Sequence, residues 1–378
     1  MSSVRVEVMD GDFNRALASS LSVLLDKGIV DALVIPQESP HGPAIHQTLV
    51  RKREGLKSPR PINLLMANNA ARFLQELSEA DPGARVAAVL RPCELRAAVE
   101  LVKLNQINRA SMFFIGVDCP GTMKPRAYEK RAAEIKREGR DPSAELIGKD
   151  EPESQRETCR ACERFWPLEG TADLVVAHIG LDPFKELFIE AHSDAGAGAL
   201  RALTEAGYRE AVVPEARRSA IQERLARVAE FRKGWLEEAR NKFGSLDALL
   251  STLSGCVRCY NCRDACPICY CKECVFDAEF MEPSPRHTLR RAGRRGLLRL
   301  PQDTLLFHLT RLNHMATSCV GCGMCEEACP QEIPVALLFI PLGERVQRLF
   351  DYVPGRDPRE PLPLATFKEK ELEEVGGE

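Results

Sequence analysis

At 378 residues, 44% hydrophobic and 28% charged, the chain is too long for one small domain and apolar enough to bury cores, so two or three domains are expected. A net charge of −3 gives no electrostatic reason for a nucleic-acid or anionic-membrane partner, and apolar runs such as Val335 to Leu342 are too short to span a bilayer. Fifteen cysteines in metal-ligand spacings need reduced thiols, and Met1 to Asp10 lacks the basic-then-apolar pattern of a secretory signal, so a cytoplasmic protein is expected.

Val4, Val6 and Val8 alternate with polar residues, the period of a first strand. A helix over Phe13 to Leu25 ends at Gly28, before a strand from Ala32 to Ile35. Ile62 to Met66 is a short apolar run, followed by a helix over Ala70 to Leu77. Arg85 to Leu90 reads as a buried strand ending at Arg91-Pro92-Cys93, Glu94 to Leu104 as a helix, and Met112 to Val117 as a strand ending at Asp118-Cys119-Pro120-Gly121-Thr122. Strands alternating with helices predict an α/β layer with a mainly parallel sheet, whose ligands collect at the carboxyl ends of the strands. Cys93 and Cys119 stand at such ends.

Lys124 to Thr158 is dense in charge and reads as an exposed helix and loop. The pair Cys159-x2-Cys162 follows on a loop, then strand-like runs Leu174 to Ile179, Leu187 to Ala191 and Ala211 to Val213. Gly196-Ala-Gly198 is half of a dinucleotide fingerprint, but Arg201 stands where its third glycine belongs, so it reads as a turn. Ile221, Leu225, Val228 and Trp235 recur at helical spacing, an amphipathic brace between domains. The division expected is an α/β domain over 1–214, a linking helix over 215–250, a mostly α-helical ferredoxin-type domain over 251–345, and an extended tail over 346–378.

The chain's strongest chemical signal is a motif that occurs twice, Cys256-x2-Cys259-x2-Cys262-x3-Cys266-Pro267 and Cys319-x2-Cys322-x2-Cys325-x3-Cys329-Pro330. Each is the ligand run of a bacterial-type [4Fe–4S] cubane, whose fourth cysteine serves the other cluster in two-cluster ferredoxins. Cys256, Cys259, Cys262 and Cys329 are therefore assigned to one cluster, and Cys319, Cys322, Cys325 and Cys266 to the other. Zinc motifs pair two CxxC units and lack this triple run ending in Cys-Pro. The spacer of more than fifty residues, with a helical run from Gln302 to Thr317, marks an α-helical variant of the two-cluster fold. Cys93, Cys119, Cys159 and Cys162 are either inert core thiols or, converging, the ligands of a third [4Fe–4S] cluster or of zinc. Cys269, Cys271 and Cys274 offer three thiols without an assigned role. His308 and His314 read as ordinary helix-face residues, since each cluster already has four thiolates. Arg286, Arg290, Arg291, Arg294 and Arg295 form a solvated basic face able to dock an acidic partner.

The runs RVAAVLRPCELRAAVELVKLNQ (from Arg85), GVDCPGT (from Gly116), CRACE (from Cys159) and ADLVVAHIG (from Ala172) resemble one family, the beta subunits of coenzyme F420-reducing hydrogenases and F420-dependent formate dehydrogenases. CVRCYNCRDACPICYCKEC, from Cys256, is similar to the formate dehydrogenase branch, and the second run with its preceding helix is similar to the ferredoxin module of heterodisulfide reductase C subunits. The resemblance implies an FAD in the first domain that exchanges hydride with coenzyme F420 or a related soluble carrier. It also implies clusters linking that flavin to a partner: a hydrogenase, formate dehydrogenase or heterodisulfide-reductase-like subunit. It places Arg91, Pro92, Cys93, Cys119, Gly121, Thr122, Cys159 and Cys162 near the flavin. Two positions depart from the family pattern, Asp10-Gly11-Asp12 at its glycine-rich N-terminal motif and Ala177 within ADLVVAHIG.

Cubane clusters pass single electrons while hydride carriers take two together, so a chain joining them needs a flavin between. No residue here must act as nucleophile or strong base; Arg91, beside Cys93, is a candidate for a phosphate contact or for tuning the flavin. The expected function is thus an oxidoreductase subunit, catalytic only with its partner. The competing reading is a cluster-only electron-transfer adaptor whose α/β domain is scaffold, with a zinc-structural protein a distant third.

Overall fold

The computed structural model describes residues 2–42, 44–81, 83–147, 154–278, 281, 284–296 and 303–365. The chain begins with β1 (Ser3–Glu7), α1 (Phe13–Asp26), β2 (Ala32–Glu38) and β3 (Ile45–Val50). It continues through α2 (Ala70–Ala80), β4 (Val86–Leu90), α3 (Pro92–Lys103), β5 (Met112–Val117), α4 (Pro125–Arg137), α5 (Pro142–Leu146) and the single turn α6 (Glu157–Arg160). After β6 (Leu174–Ala177), β7 (Glu186–Ala191), α7 (Asp194–Glu205) and β8 (Arg209–Glu210), the remainder is helical. That part comprises α8 (Ala216–Phe243), α9 (Leu246–Leu253), α10 (Asn261–Asp264), α11 (Pro285–Arg295), α12 (Thr304–Met315), α13 (Met324–Glu327) and α14 (Val335–Leu349).

The eight strands form one sheet in the order β3-β2-β4-β5-β6-β7-β1-β8. Only the centre, β2-β4-β5-β6, is parallel; β3 on one side and β7, β1 and β8 on the other run antiparallel. The sheet is therefore mixed, not mainly parallel. The connections explain it, since 39–44 and 178–185 are too short for the crossover of a dozen residues or more that a parallel return requires. The strand β3 has no clear period in sequence, and the apolar run Ile62 to Met66 is a buried loop instead of a strand.

Alternation along the central strands sends side chains into two cores. Leu33, Ile35, Ala87, Val89, Phe113 and Ile115 pack with α1, α4 and α7 on one face. Ala32, Val34, Ala88, Leu90, Met112 and Phe114 face α2, α3 and the cysteine-bearing helices. The second face is thus shared between the sheet and the iron–sulfur motifs, so both regions bury one continuous core.

The link over 215–250 is two helices. They meet at Gly244, the C-cap of α8, where a Cβ would collide with the Arg240 carbonyl, and Ser245 then caps α9 through its bond from Ala248 N. Trp235 and Ala239 of α8 pack on Leu337 and Ile340 of α14, while Ile221 and Val228 pack near Phe165. Gly196 and Gly198 lie within α7 instead of in a turn, and Gly196 is needed for close approach to the Asp173 carbonyl.

The tail is not an extended arm as far as it is described. The expected boundary at 345 falls inside α14, and the following segment folds back onto α3. Tyr352 donates from its hydroxyl to Glu100 Oε1 at 2.6 Å, Gly355 N donates to the same oxygen at 2.8 Å, and Arg96 Nε donates to Pro354 O at 2.8 Å. A buried carboxylate on α3 needs partners, and the tail supplies them. Residues 366–378 lie outside the described residues, as does the side chain of Arg291.

Candidate metal centres

The two cysteine runs adopt the same backbone. In the first, Arg258 (φ 57°) and Tyr260 (φ 61°) are left-handed; in the second, Gly321 (φ 72°) and Gly323 (φ 70°) occupy the corresponding positions. Each loop then enters one helical turn, α10 or α13. Two left-handed residues coil the chain tightly enough to point three thiols inward. Non-glycine residues in this region cost roughly 1–2 kcal/mol each. In the first run the loop is braced, because Arg258 pairs with Asp303 at 2.7 Å and Tyr260 packs on Phe307 with ring centroids 4.9 Å apart.

Cys256, Cys259, Cys262 and Cys329 line one small cavity, although Cys329 comes from the other run. Burial pushes the Cys262 thiol up to about 11; Arg311 opposes this, and Cys256, Cys329 and Cys259 add to it. Cys319, Cys322, Cys325 and Cys266 neighbour one another in the same way. Burial raises Cys322 to about 11 and Cys319 to about 12, and Cys266 contributes to both. Cys329 thus neighbours thiols of the first run, and Cys266 those of the second.

Cys93, Cys119, Cys159 and Cys162 are also brought together, from three different segments. Pro92 is the first residue of α3 and puts Cys93 in its opening turn. Cys119 follows β5 and donates its backbone N–H to Phe165 O at 2.8 Å. Cys159 sits in α6, where Thr122 Oγ1 lies 3.2 Å from its sulfur and Arg156 Nη2 donates at 3.6 Å. Burial alone would raise the Cys159 thiol, but Arg156 and Thr122 hold it below the ordinary value. Burial raises Cys93, and Glu94, Cys322, Cys119 and Cys162 add to the effect. Cys322 belongs to the second run, so this third set abuts the second.

Among the described residues, no three His, Cys, Asp or Glu side chains are drawn tightly enough to share a single metal ion. Thiolates on a tetrahedral zinc stand about 3.8 Å apart, given a Zn–S bond of about 2.3 Å. Each thiol set also has a buried cation at hand: Arg311 at the first, Arg156 at the third, and Arg96 near Cys162, Cys93 and Cys319. Such charges fit a dianionic or more negative guest. Cys269, Cys271 and Cys274 form a further group beside Cys266, with Cys271 exposed.

Two cavities open at the carboxyl edge of the parallel strands. The larger, about 490 Å³, is lined by Pro120, Met123, Cys159, Arg160, His178 and Arg224 among others. The smaller, about 350 Å³, is lined by Asn63, Asn69, Phe73 and Arg91. Arg91 is not a free cation there. Its guanidinium donates to Asn63 Oδ1 at 2.6 Å and Leu65 O at 2.7 Å and stands 3.5 Å from Glu94, so it ties the buried loop to α3. Thr122 serves Cys159 and accepts from Arg156 Nε at 2.7 Å. Gly121 is left-handed (φ 98°) and donates to Cys119 Sγ at 3.4 Å.

Several residues at these sites escaped the sequence reading. Asp118 is a buried hub that accepts from Arg217 at 2.7 Å and from the backbone of His178 and Ile179. His178 Nε2 lies 2.7 Å from Asp118 O, a carbonyl that can only accept, so Nε2 carries the proton and Nδ1 is the acceptor. Arg224 Nη1 donates to Cys119 O at 2.8 Å and its guanidinium lies over Phe165. His314 is exposed as expected, but His308 is buried against the first cysteine set. No local pattern distinguishes these arginines and histidines from surface ones.

Residues 83–217 match the family described as coenzyme F420 hydrogenase/dehydrogenase, C terminus of the beta subunit, and residues 252–333 match a 4Fe-4S dicluster domain. The chain is similar to the F420-dependent formate dehydrogenase subunit beta of Methanocaldococcus jannaschii, 26% identical over 370 residues that cover 90% of this chain and 92% of that protein. It is 28% identical over 384 residues to the F420-dependent formate dehydrogenase 1 subunit beta of Methanococcus maripaludis, covering 94% of each. A chain from the F420-reducing [NiFe] hydrogenase complex of Methanosarcina barkeri superposes with a TM-score of 0.49 and 14% identity over 65% of this chain and 94% of that one, a likeness too slight to argue from.

Proposed function

We propose that this chain, an oxidoreductase subunit that belongs to the coenzyme F420 hydrogenase/dehydrogenase beta-subunit family and carries a 4Fe–4S dicluster domain, binds FAD and three [4Fe–4S] clusters and links a partner enzyme to a soluble hydride carrier. The relatives named above are F420-dependent formate dehydrogenase subunits, which makes coenzyme F420 the first carrier to test and a formate- or hydrogen-oxidising subunit the first partner.

The observation that carries this reading is the order of the thiols. Cys259 of the first set is exposed, the four thiols of the second set are half-buried, Cys93 of the third neighbours Cys322 of the second, and Cys159 lines the larger cavity. The three sets thus run from the surface to the carboxyl edge of the sheet, where α/β folds take ligands. When bound, FAD supplies the conversion between single electrons and hydride. The chain's own work is to hold and shield. Thr122 and Arg156 favour the thiolate form of Cys159, Arg160 and Arg224 offer positive charge for a diphosphate, and His178 offers an Nδ1 acceptor. Its imidazole is kept neutral by burial.

The test is anaerobic purification with iron and flavin quantified together. Bound FAD with about twelve irons, four for each cubane, supports the reading. Iron without flavin, not restored by added FAD, would make the chain a cluster-only adaptor. About four irons would sink the three-cluster count.

A further inference from the structure

Helix α12 buries a histidine that no hydrogen bond explains. His308 is 1% exposed, and neither ring nitrogen has a partner. Its flanking ring, Phe307, lies edge-on at 5.1 Å between centroids and offers no lone pair. A buried N–H without an acceptor loses its hydration and gains nothing, so such groups are rare unless an unseen partner completes them. His308 lines the same small cavity as Cys256, Cys259, Cys262 and Cys329. One turn further on, Arg311 is buried on the same side and donates to Cys262 Sγ at 3.1 Å and Cys262 O at 2.9 Å.

We infer that His308 is a positioning residue that donates an N–H hydrogen bond to sulfur of the cluster held by these four cysteines and thereby raises its reduction potential. The inference rests on reading those cysteines as one [4Fe–4S] ligand set. One-electron reduction makes the cluster more negative, and a donor binds the more negative sulfur more strongly, so the bond favours the reduced form. Arg311 acts in the same sense from its bond to Cys262. No imidazole is bonded to Cys319, Cys322, Cys325 or Cys266 among the described residues, so the first cluster alone receives this donor.

The experiment is a mediator-controlled redox titration of the iron-loaded protein followed by EPR, on wild type, His308→Phe and His308→Gln. His308→Phe, with iron retained, should move one titration step to lower potential by about tenfold in the reduction equilibrium, about 59 mV for one electron. His308→Gln, which keeps a donor, should restore most of the shift. Full iron with every step unmoved in His308→Phe would overturn the inference, as would an equal shift in both variants. If His308→Phe loses iron, pulsed EPR of reduced wild type labelled with ¹⁵N-histidine decides: a nitrogen coupling that disappears in His308→Gln is expected, and no coupling overturns it. Iron unchanged in Cys259→Ser would instead refute the ligand set beneath it.

Discussion

Replacing Gly323 with alanine should damage the junction between the second cysteine run and the third set, whereas the same change at Gly321 should cost much less. Both glycines are left-handed, at φ 70° and 72°, so each substitution carries a backbone cost of roughly 1–2 kcal/mol. Their surroundings differ. At Gly321 a new Cβ would meet nothing nearer than Ile340 at 3.8 Å, an ordinary contact. At Gly323 it would lie 2.8 Å from the Cβ and Cγ2 of Thr158 and closer still to Oγ1. Thr158 is buried in α6 beside Cys159, between two packed segments with little room to retreat. Overpacking of this kind costs about 1–3 kcal/mol beyond the backbone term. The assay is anaerobic urea unfolding followed by the visible absorbance of the clusters, with iron counted beforehand. Gly323→Ala should unfold at clearly lower urea than Gly321→Ala. Thr158→Ala, which removes Oγ1 and Cγ2, should recover part of the loss in the double variant as a favourable coupling. Equal effects of the two glycine changes, or strict additivity with Thr158→Ala, would refute the close approach of the second run to α6.

Tyr352→Phe removes a donor to Glu100 and an acceptor for Lys103 Nζ, 2.7 Å away, at a buried site, and should cost about 1–3 kcal/mol in anaerobic unfolding; an unchanged midpoint would contradict the docked tail. Burial depresses the His178 pKa, so the unfolded chain takes up a proton below the ordinary imidazole value of about 6.5 while the folded one does not. Stability from this group is therefore complete above about pH 6.5 and falls as pH drops toward the depressed value. His178→Asn should flatten that slope, and a slope equal to wild type would remove His178 as its source. Arg224→Gln should weaken FAD binding about tenfold or more, the loss of one charged contact of about 1.5–3 kcal/mol; unchanged flavin affinity would place the flavin elsewhere. Cys93→Ser should lower the iron count by about four, one cubane, and an unchanged count would strike Cys93 from the ligand set.

The two cysteine runs needed no tertiary information, because the spacing of three thiols in seven residues is fixed by covalent geometry and local turns. The crossed partners Cys266 and Cys329 are expected from the motif's pattern in two-cluster ferredoxins, not from local geometry. The central strands were equally plain, since Val86 to Leu90 and Met112 to Val117 are apolar throughout and are buried on both faces. The antiparallel flanks were not, because strand direction depends on how far the intervening chain can travel. Nor does any local rule bring Cys93 and Cys119 to the pair Cys159 and Cys162: they lie on three separate segments, and only the ends of β4 and β5 and the position of α6 make them neighbours. His308, Arg311 and Arg156 depended most on the fold. In sequence they are unremarkable charged or polar residues on helices and loops, and the sense of each comes from which neighbour excludes water from it. Sequence thus determined the thiol chemistry, which is local. Tertiary structure decided the order of the thiol sets and the cations and donors around them, because burial and approach belong to no single segment.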